Sequence, residues 1–138
     1  MREEIVETLY FSSIFRIGNI NRDQINITVS IHRVSLHRNV YVSGTAPIWP
    51  DGSCDPDPEI QARRCLEIIV EALAGAGASP KQVVRTRMFL TDASYADAVG
   101  RAHGAVFGEV RPASTMVVIV GMLDPRWKVE IEADAVMD

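Results

Sequence analysis

Basic residues are in short supply. Fourteen lysines and arginines stand against eighteen acids, a net charge of −4 over 138 residues. Arg63, Arg64, Arg85, Arg87, Arg101 and Arg111 are scattered rather than grouped. A phosphate backbone wants a basic stripe, so the composition argues against a nucleic-acid partner. Cysteine is scarcer still. Cys54 and Cys65 lack metal-like spacing, which predicts two free thiols in a reducing cytosol. No apolar run approaches the roughly 20 residues of a membrane-spanning helix; the most apolar stretch is Met116 to Leu123. The opening Met1-Arg-Glu-Glu has no continuous apolar segment of the secretory kind. Together these gaps predict a cytoplasmic protein with no membrane partner.

Catalytic signatures are equally sparse. The chain has no phosphate-cradling glycine motif, no Cys-x-x-Cys and no His-Glu-x-x-His. It also has no G-x-S-x-G elbow, and Ser43 and Ser53 sit without a recognisable base. His32, His37 and His103 are spread over two predicted strands and a helix, too dispersed to predict a metal site. His103, on an apolar helix face, reads as a packing histidine.

What the chain does have is one unusually regular strand near its end. In Trp127-Lys-Val-Glu-Ile-Glu-Ala-Asp-Ala-Val136, Trp127, Val129, Ile131, Ala133 and Ala135 alternate with Lys128, Glu130, Glu132 and Asp134. A period of two predicts a half-buried strand with three carboxylates on one face. That face reads either as a solvated outer surface or as the lining of a polar site in which a carboxylate orients water.

Earlier in the chain, Ile27, Val29 and Ile31 alternate with Thr28, Ser30 and His32, and Val34 and Leu36 continue the pattern. With a turn at His37-Arg38-Asn39 and a second strand at Val40 to Val42, this predicts a β-hairpin. Residues 1–26 carry Ile5, Val6, Leu9 and Tyr10 at near-helical spacing, but Phe11, Ile14, Phe15 and Ile17 follow without a break. They read as an extension of uncertain structure ahead of a single domain over 27–138. Asp57-Pro58 is a good helix start, and Ile60, Ala62, Cys65, Leu66, Ile69, Ala72 and Leu73 give an apolar stripe ending at Gly75 and Gly77. A strand over Val84 to Leu90, a helix after Asp92 or Ser94 ending at Gly108, and a strand from Pro112 to Val120 precede the last strand.

The order β-β-α-β-α-β-β predicts an α+β fold with both helices on one face of a mixed sheet. Met116, Val118 and Val120 look too apolar, and the last strand too acidic, for the other face to stand open. Self-association would cover it.

Four segments carry a resemblance. Val42-Ser-Gly-Thr-Ala-Pro47, Gly100-Arg-Ala-His-Gly-Ala-Val-Phe107, Arg111-Pro-Ala-Ser-Thr-Met-Val117 and Val129-Glu-Ile-Glu-Ala-Asp-Ala135 resemble the Rid/YjgF family of small homotrimeric proteins, in the right order and spacing. The resemblance implies a chorismate-mutase-like, YjgF-like fold assembled as a trimer with clefts between subunits. It also implies hydrolysis of reactive enamines and imines such as 2-aminoacrylate, a small-molecule metabolite, with no metal or organic cofactor. In active members an arginine on the penultimate strand clamps a carboxylate, and a glutamate on the last strand handles water.

Carried over residue by residue, the glutamate falls on Glu130, the strand-end glycine on Gly44 and a cysteine position on Met116. The clamping arginine falls on Ser114 and a cleft tyrosine on Ser30, so the chain looks like an arginine-lacking subgroup. Thr115, between Ser114 and Met116, completes the expected substrate-binding set. A serine hydroxyl cannot replace a bidentate, charge-assisted grip. The loss costs an anionic substrate a few kcal/mol, so the cleft is expected either to favour neutral or cationic ligands or to borrow an arginine such as Arg111 or Arg101. The leading expectation is a trimeric deaminase or hydrolase in which Glu130 positions water. The competing one is a non-catalytic small-ligand binder or chaperone-like trimer. A ribonuclease activity, often attributed to this family, is disfavoured by the acidic balance.

Overall fold

The computed structural model describes residues 6–13, 25–34 and 37–138, with side chains from Arg38 onward. Its strands are β1 (Val6–Ser13), β2 (Ile25–Val34), β3 (His37–Thr45), β4 (Val83–Leu90), β5 (Ala113–Val118) and β6 (Val129–Met137). Two helices, α1 (Pro58–Gly75) and α2 (Ala96–Phe107), fall on either side of β4 in the chain. The six strands form one mixed sheet in the order β1-β2-β3-β6-β4-β5. Only β4 and β5 pair in parallel; the other neighbours are antiparallel. The α+β reading therefore holds, with the order expected from residue 27 onward.

The first helix begins where its sequence says it should. The Asp57 carboxylate accepts from the Glu59 and Ile60 amides at 2.8 and 3.0 Å, satisfying two N–H groups that have no intrahelical partner. Its inner stripe of Ala62, Cys65, Leu66, Ile69, Ala72 and Leu73 is buried. Past the helix, Gly77 takes φ +78°, a left-handed turn that releases the chain toward β4. The second helix follows a short 3-10 turn capped by Asp92, whose side chain accepts from the Ser94 amide. From it Val99, Ala102 and Phe107 join the core.

The alternation of β6 is realised in full. Val129, Ile131, Ala133 and Ala135 are buried with Val40 and Val42 of β3 and with Met88 and Leu90 of β4, on the side of the sheet that carries the helices. Glu130, Glu132 and Asp134 face the other way and stay partly exposed. Trp127 is buried as expected but precedes the strand, in a turn closed by its amide on the Asp124 carbonyl at 3.0 Å.

Three sequence expectations are corrected. His37, Arg38 and Asn39 are not a turn but the start of β3, with Val34 opposite His37 and Arg33 opposite Arg38. Their lack of favoured turn chemistry is consistent with that. Within residues 1–26, Val6–Ser13 forms β1 along β2 and Ile25 already belongs to β2. The near-helical spacing there yields to strand pairing. Finally, Met116 and Val118 do not share the acidic face: they stand opposite Met88 and Leu90, on the helix side of the sheet. Val120 lies beyond the end of β5, fully exposed.

Candidate functional site

The helix-free face of the sheet is a grid set by register. Across β6, β4 and β5 one row holds Glu130, Phe89 and Val117 and the next holds Glu132, Arg87 and Thr115. A third row holds Asp134, Arg85 and Ala113, and Tyr41 of β3 stands on the other side of Asp134. Directly opposed residues share a face, so these side chains form one surface. Arg87 ties two rows together, donating to Glu132 at 2.8 Å and to Asp134 at 3.2 Å.

Glu130 stands apart from that ladder. Among the ion pairs of the described side chains, none involves Glu130. Its carboxyl is instead held above the ordinary glutamate value, first by burial and then by the negative charge of Glu132. Its carboxylate lies over Gly44. A β-carbon at Gly44 would come within 2.9 Å of the Glu130 carboxyl carbon and closer to Oε1. The notch exists because the β3–β6 register shifts: Val42 pairs with Ala133 and Thr45 with Ile131, leaving Ser43 and Gly44 as an irregular step beside Glu132. A half-desolvated carboxylate with a lifted affinity for protons, next to a backbone with no side chain in the way, can accept a proton from water or return one.

The other expected site residues divide by strand parity. Thr115 shares the Glu130 face, one row away and on the far side of β4. Ser114 and Met116 are turned to the helix side, because adjacent strand residues point to opposite faces. Ser30 occupies the β2 position opposite Tyr41; its side chain lies outside the described residues. One chain thus brings Gly44 to Glu130 and separates both from Ser114 and Met116.

Ser114 is engaged elsewhere. Its Oγ is 2.9 Å from Thr86 Oγ1, 3.5 Å from His103 Nε2 and 3.0 Å from the Pro112 carbonyl. Thr86 Oγ1 is itself 2.9 Å from His103 Nε2. Thr86 is fully buried, His103 half-buried against the Phe107 ring, and Ser114 exposed. Burial holds the His103 pKa below its ordinary value. The sequence marked His103 as a packing residue and passed over Thr86. The missing signal was parity: a threonine among apolar neighbours on the core face of β4 needs a polar partner.

Among the described residues, no cluster of three histidine, cysteine or acidic side chains is arranged to hold a metal. No described helix is long and apolar enough to cross a membrane. Cys54 and Cys65 are both free thiols.

Over 98 residues the chain is 36% identical to the 3-aminoacrylate deaminase RutC of Acinetobacter baylyi, a match spanning 70% of this chain and 77% of that protein. A YjgF-family structure from Mycobacterium tuberculosis superposes with a TM-score of 0.67 at 37% identity, covering 78% of this chain and 84% of its own. Escherichia coli TdcF with bound serine superposes with a TM-score of 0.69 at 28% identity, covering 76% and 85% respectively. Residues 29–137 match the family described as endoribonuclease L-PSP. On sequence and fold alike, the chain belongs to that family, the Rid/YjgF proteins.

Proposed function

We propose that the protein is a Rid-like deaminase that hydrolyses a small imine or enamine, with Glu130 positioning the attacking water. The observation that carries this reading is the environment of Glu130. Its carboxyl is lifted by burial and by Glu132 and lies over the Gly44 notch, while Arg87 is engaged by Glu132 and Asp134. A base of raised pKa is matched to proton transfer near neutrality, where an ordinary surface carboxylate is too weak. The relationship to RutC and TdcF supports the reaction class.

The substrate differs in charge from theirs. RutC is a 3-aminoacrylate deaminase and TdcF was crystallised with serine, and both molecules carry a carboxylate. Here the arginine expected by family resemblance is replaced by Ser114, and Arg87 is already paired twice on the Glu130 face. A site whose carboxylate is unpaired and whose neighbouring cation, Arg87, is already held by two acids favours a neutral imine or a protonated iminium. Because Glu130 and Ser114 look to opposite sides of the sheet, a ligand touching both needs them from two copies. A homotrimer with clefts between subunits supplies that arrangement.

A second reading rests on the same substitution. Ser114 is bound into a hydroxyl–imidazole network rather than free to grip a ligand, which suits a trimer that binds small molecules without turning them over. The two separate in one experiment: imines generated in situ by amino-acid oxidases, with ammonia release followed for the wild type and Glu130→Gln. Deamination requires turnover that falls roughly 100-fold in an assembled Glu130→Gln, the usual scale of a lost acid–base group. Ligand-induced rises in Tm with no turnover establish the binder. Turnover unchanged in Glu130→Gln removes Glu130 from the chemistry.

A further inference from the structure

The Ser114 network lies on the far side of the sheet from the Glu130 of the same chain, and the proposed deamination asks of Ser114 only contact with a ligand, not proton transfer. Its hydrogen bonds can run in two directions. With the His103 proton on Nε2, the ring donates to Thr86, Thr86 to Ser114 and Ser114 to the Pro112 carbonyl, and every partner is satisfied. With the proton on Nδ1, the Nε2 lone pair accepts from Thr86, whose oxygen accepts from Ser114. The second direction connects an exposed hydroxyl to a neutral imidazole through one buried threonine. Burial keeps His103 neutral and therefore able to take a proton, and among the described residues no charged side chain contributes to that shift.

The strand geometry adds a second component. β5 is the last strand of the sheet, and the Ile119 amide donates to the Leu90 carbonyl at 2.8 Å. Since N–H direction alternates along a strand, the amides of Ala113, Thr115 and Val117 also turn to β4, while those of Ser114 and Met116 turn to the outer edge. Among the described residues no strand pairs with that edge. Ser114 thus presents its hydroxyl at the surface beside its own unpaired backbone N–H, a donor available to an oxygen that gains charge there.

We propose that Ser114, Thr86 and His103 form an acyl-accepting site that takes small activated carboxylic esters. The Ser114 oxygen bonds to the acyl carbon as its proton moves to Thr86 and the Thr86 proton to His103 Nε2. The carbon–oxygen bond to the alcohol then breaks, and the leaving alkoxide takes the proton back from His103, giving acyl-Ser114 and free alcohol. Water in place of the alcohol then bonds to the acyl carbon as its proton passes to Thr86 and from Thr86 to His103; the acyl–Oγ bond breaks, and the Ser114 oxygen takes the proton back along the same path, releasing the carboxylic acid. The arrangement has the parts of an activated nucleophile: a hydroxyl, a base within reach and an oxyanion donor. The 3.5 Å separation of Ser114 from His103 makes the threonine the working path.

The test uses the full-length protein, with p-nitrophenyl acetate and a fluorophosphonate as probes and intact and peptide mass spectrometry as readout. The expected result is one label per chain on the Ser114 peptide, absent in Ser114→Ala. The labelling rate should fall at least ten-fold in both His103→Gln and Thr86→Val, with assembly and helix content preserved. If those variants do not fold, the wild-type rate decides. It should rise with pH through a single titration below the ordinary histidine value and then level between about pH 7 and about pH 8. Label on another residue, rates unchanged in folded His103→Gln, or a rate that simply tracks hydroxide would overturn the proposal. Deamination that depends on Glu130 is measured separately, so either reading can fail without the other.

Discussion

Glu130 and Gly44 behave as one unit, because the glycine reserves the space the carboxylate occupies. A β-carbon at Gly44 collides with the far end of a flexible side chain rather than with backbone. Gly44→Ala should therefore cost little stability, with Tm moving only a few degrees, roughly the scale of 1 kcal/mol in a domain this size. Glu130-dependent chemistry should nevertheless drop, because the carboxylate must swing away. A large loss of Tm with chemistry intact would show that the notch serves the fold instead. The pH behaviour of Glu130 has a definite sign. Its native pKa is raised, so the folded state holds that proton more tightly than the unfolded chain. The resulting stability is fully present below the ordinary value of 4.5 and is lost as pH rises through the native pKa. Glu130→Gln does not titrate, so its Tm advantage over the wild type should widen from about pH 4 to about pH 7. An advantage that stays constant across that range would mean the carboxyl is not desolvated.

Among elements, α1 and β6 were legible from sequence because each carries its own complete signal. Asp57-Pro58 and a stripe recurring every three or four residues define α1, and strict alternation defines β6. Asp57→Ala removes the acceptor for two amides and should destabilise the protein by about 1 kcal/mol, read in chemical denaturation as a lower midpoint with unchanged slope. An unchanged midpoint would show that water replaces the cap at no cost. β5 was legible as a strand but not in its orientation. Ala113-Ser-Thr-Met-Val-Val118 has no polar–apolar alternation, so only pairing with β4 reveals that Ser114 and Met116 face the helices and Thr115 the open surface. The β2–β3 turn was misplaced for a related reason. His37, Arg38 and Asn39 are polar enough to read as a turn, yet strand pairing depends on the neighbour's register as well as on composition. The Gly44–Glu130 notch follows from a register shift, which no local pattern announces.

At the scale of the molecule, the helices cover one side of the sheet over β3, β6 and β4, while the Glu130 side of those strands carries no helix. That side mixes the Glu130–Glu132–Asp134 column and Arg87 with Tyr41 at 40% exposure and Val117 at 41%. A surface of that kind is covered economically by copies of itself. Light scattering at micromolar concentration should give three times the chain mass. A monomer's mass would remove the intersubunit cleft from the functional reading and leave Glu130 to act on an open face.

The period of two in β5 also bears on how such a protein can change over time. Neighbouring positions along the strand answer to different surroundings: Ser114 to the threonine and histidine beneath it, Thr115 to the charged ladder above. A substitution at one has no packing route to the other except through a backbone already fixed by β4. Selection can therefore rework either surface while the other is held constant.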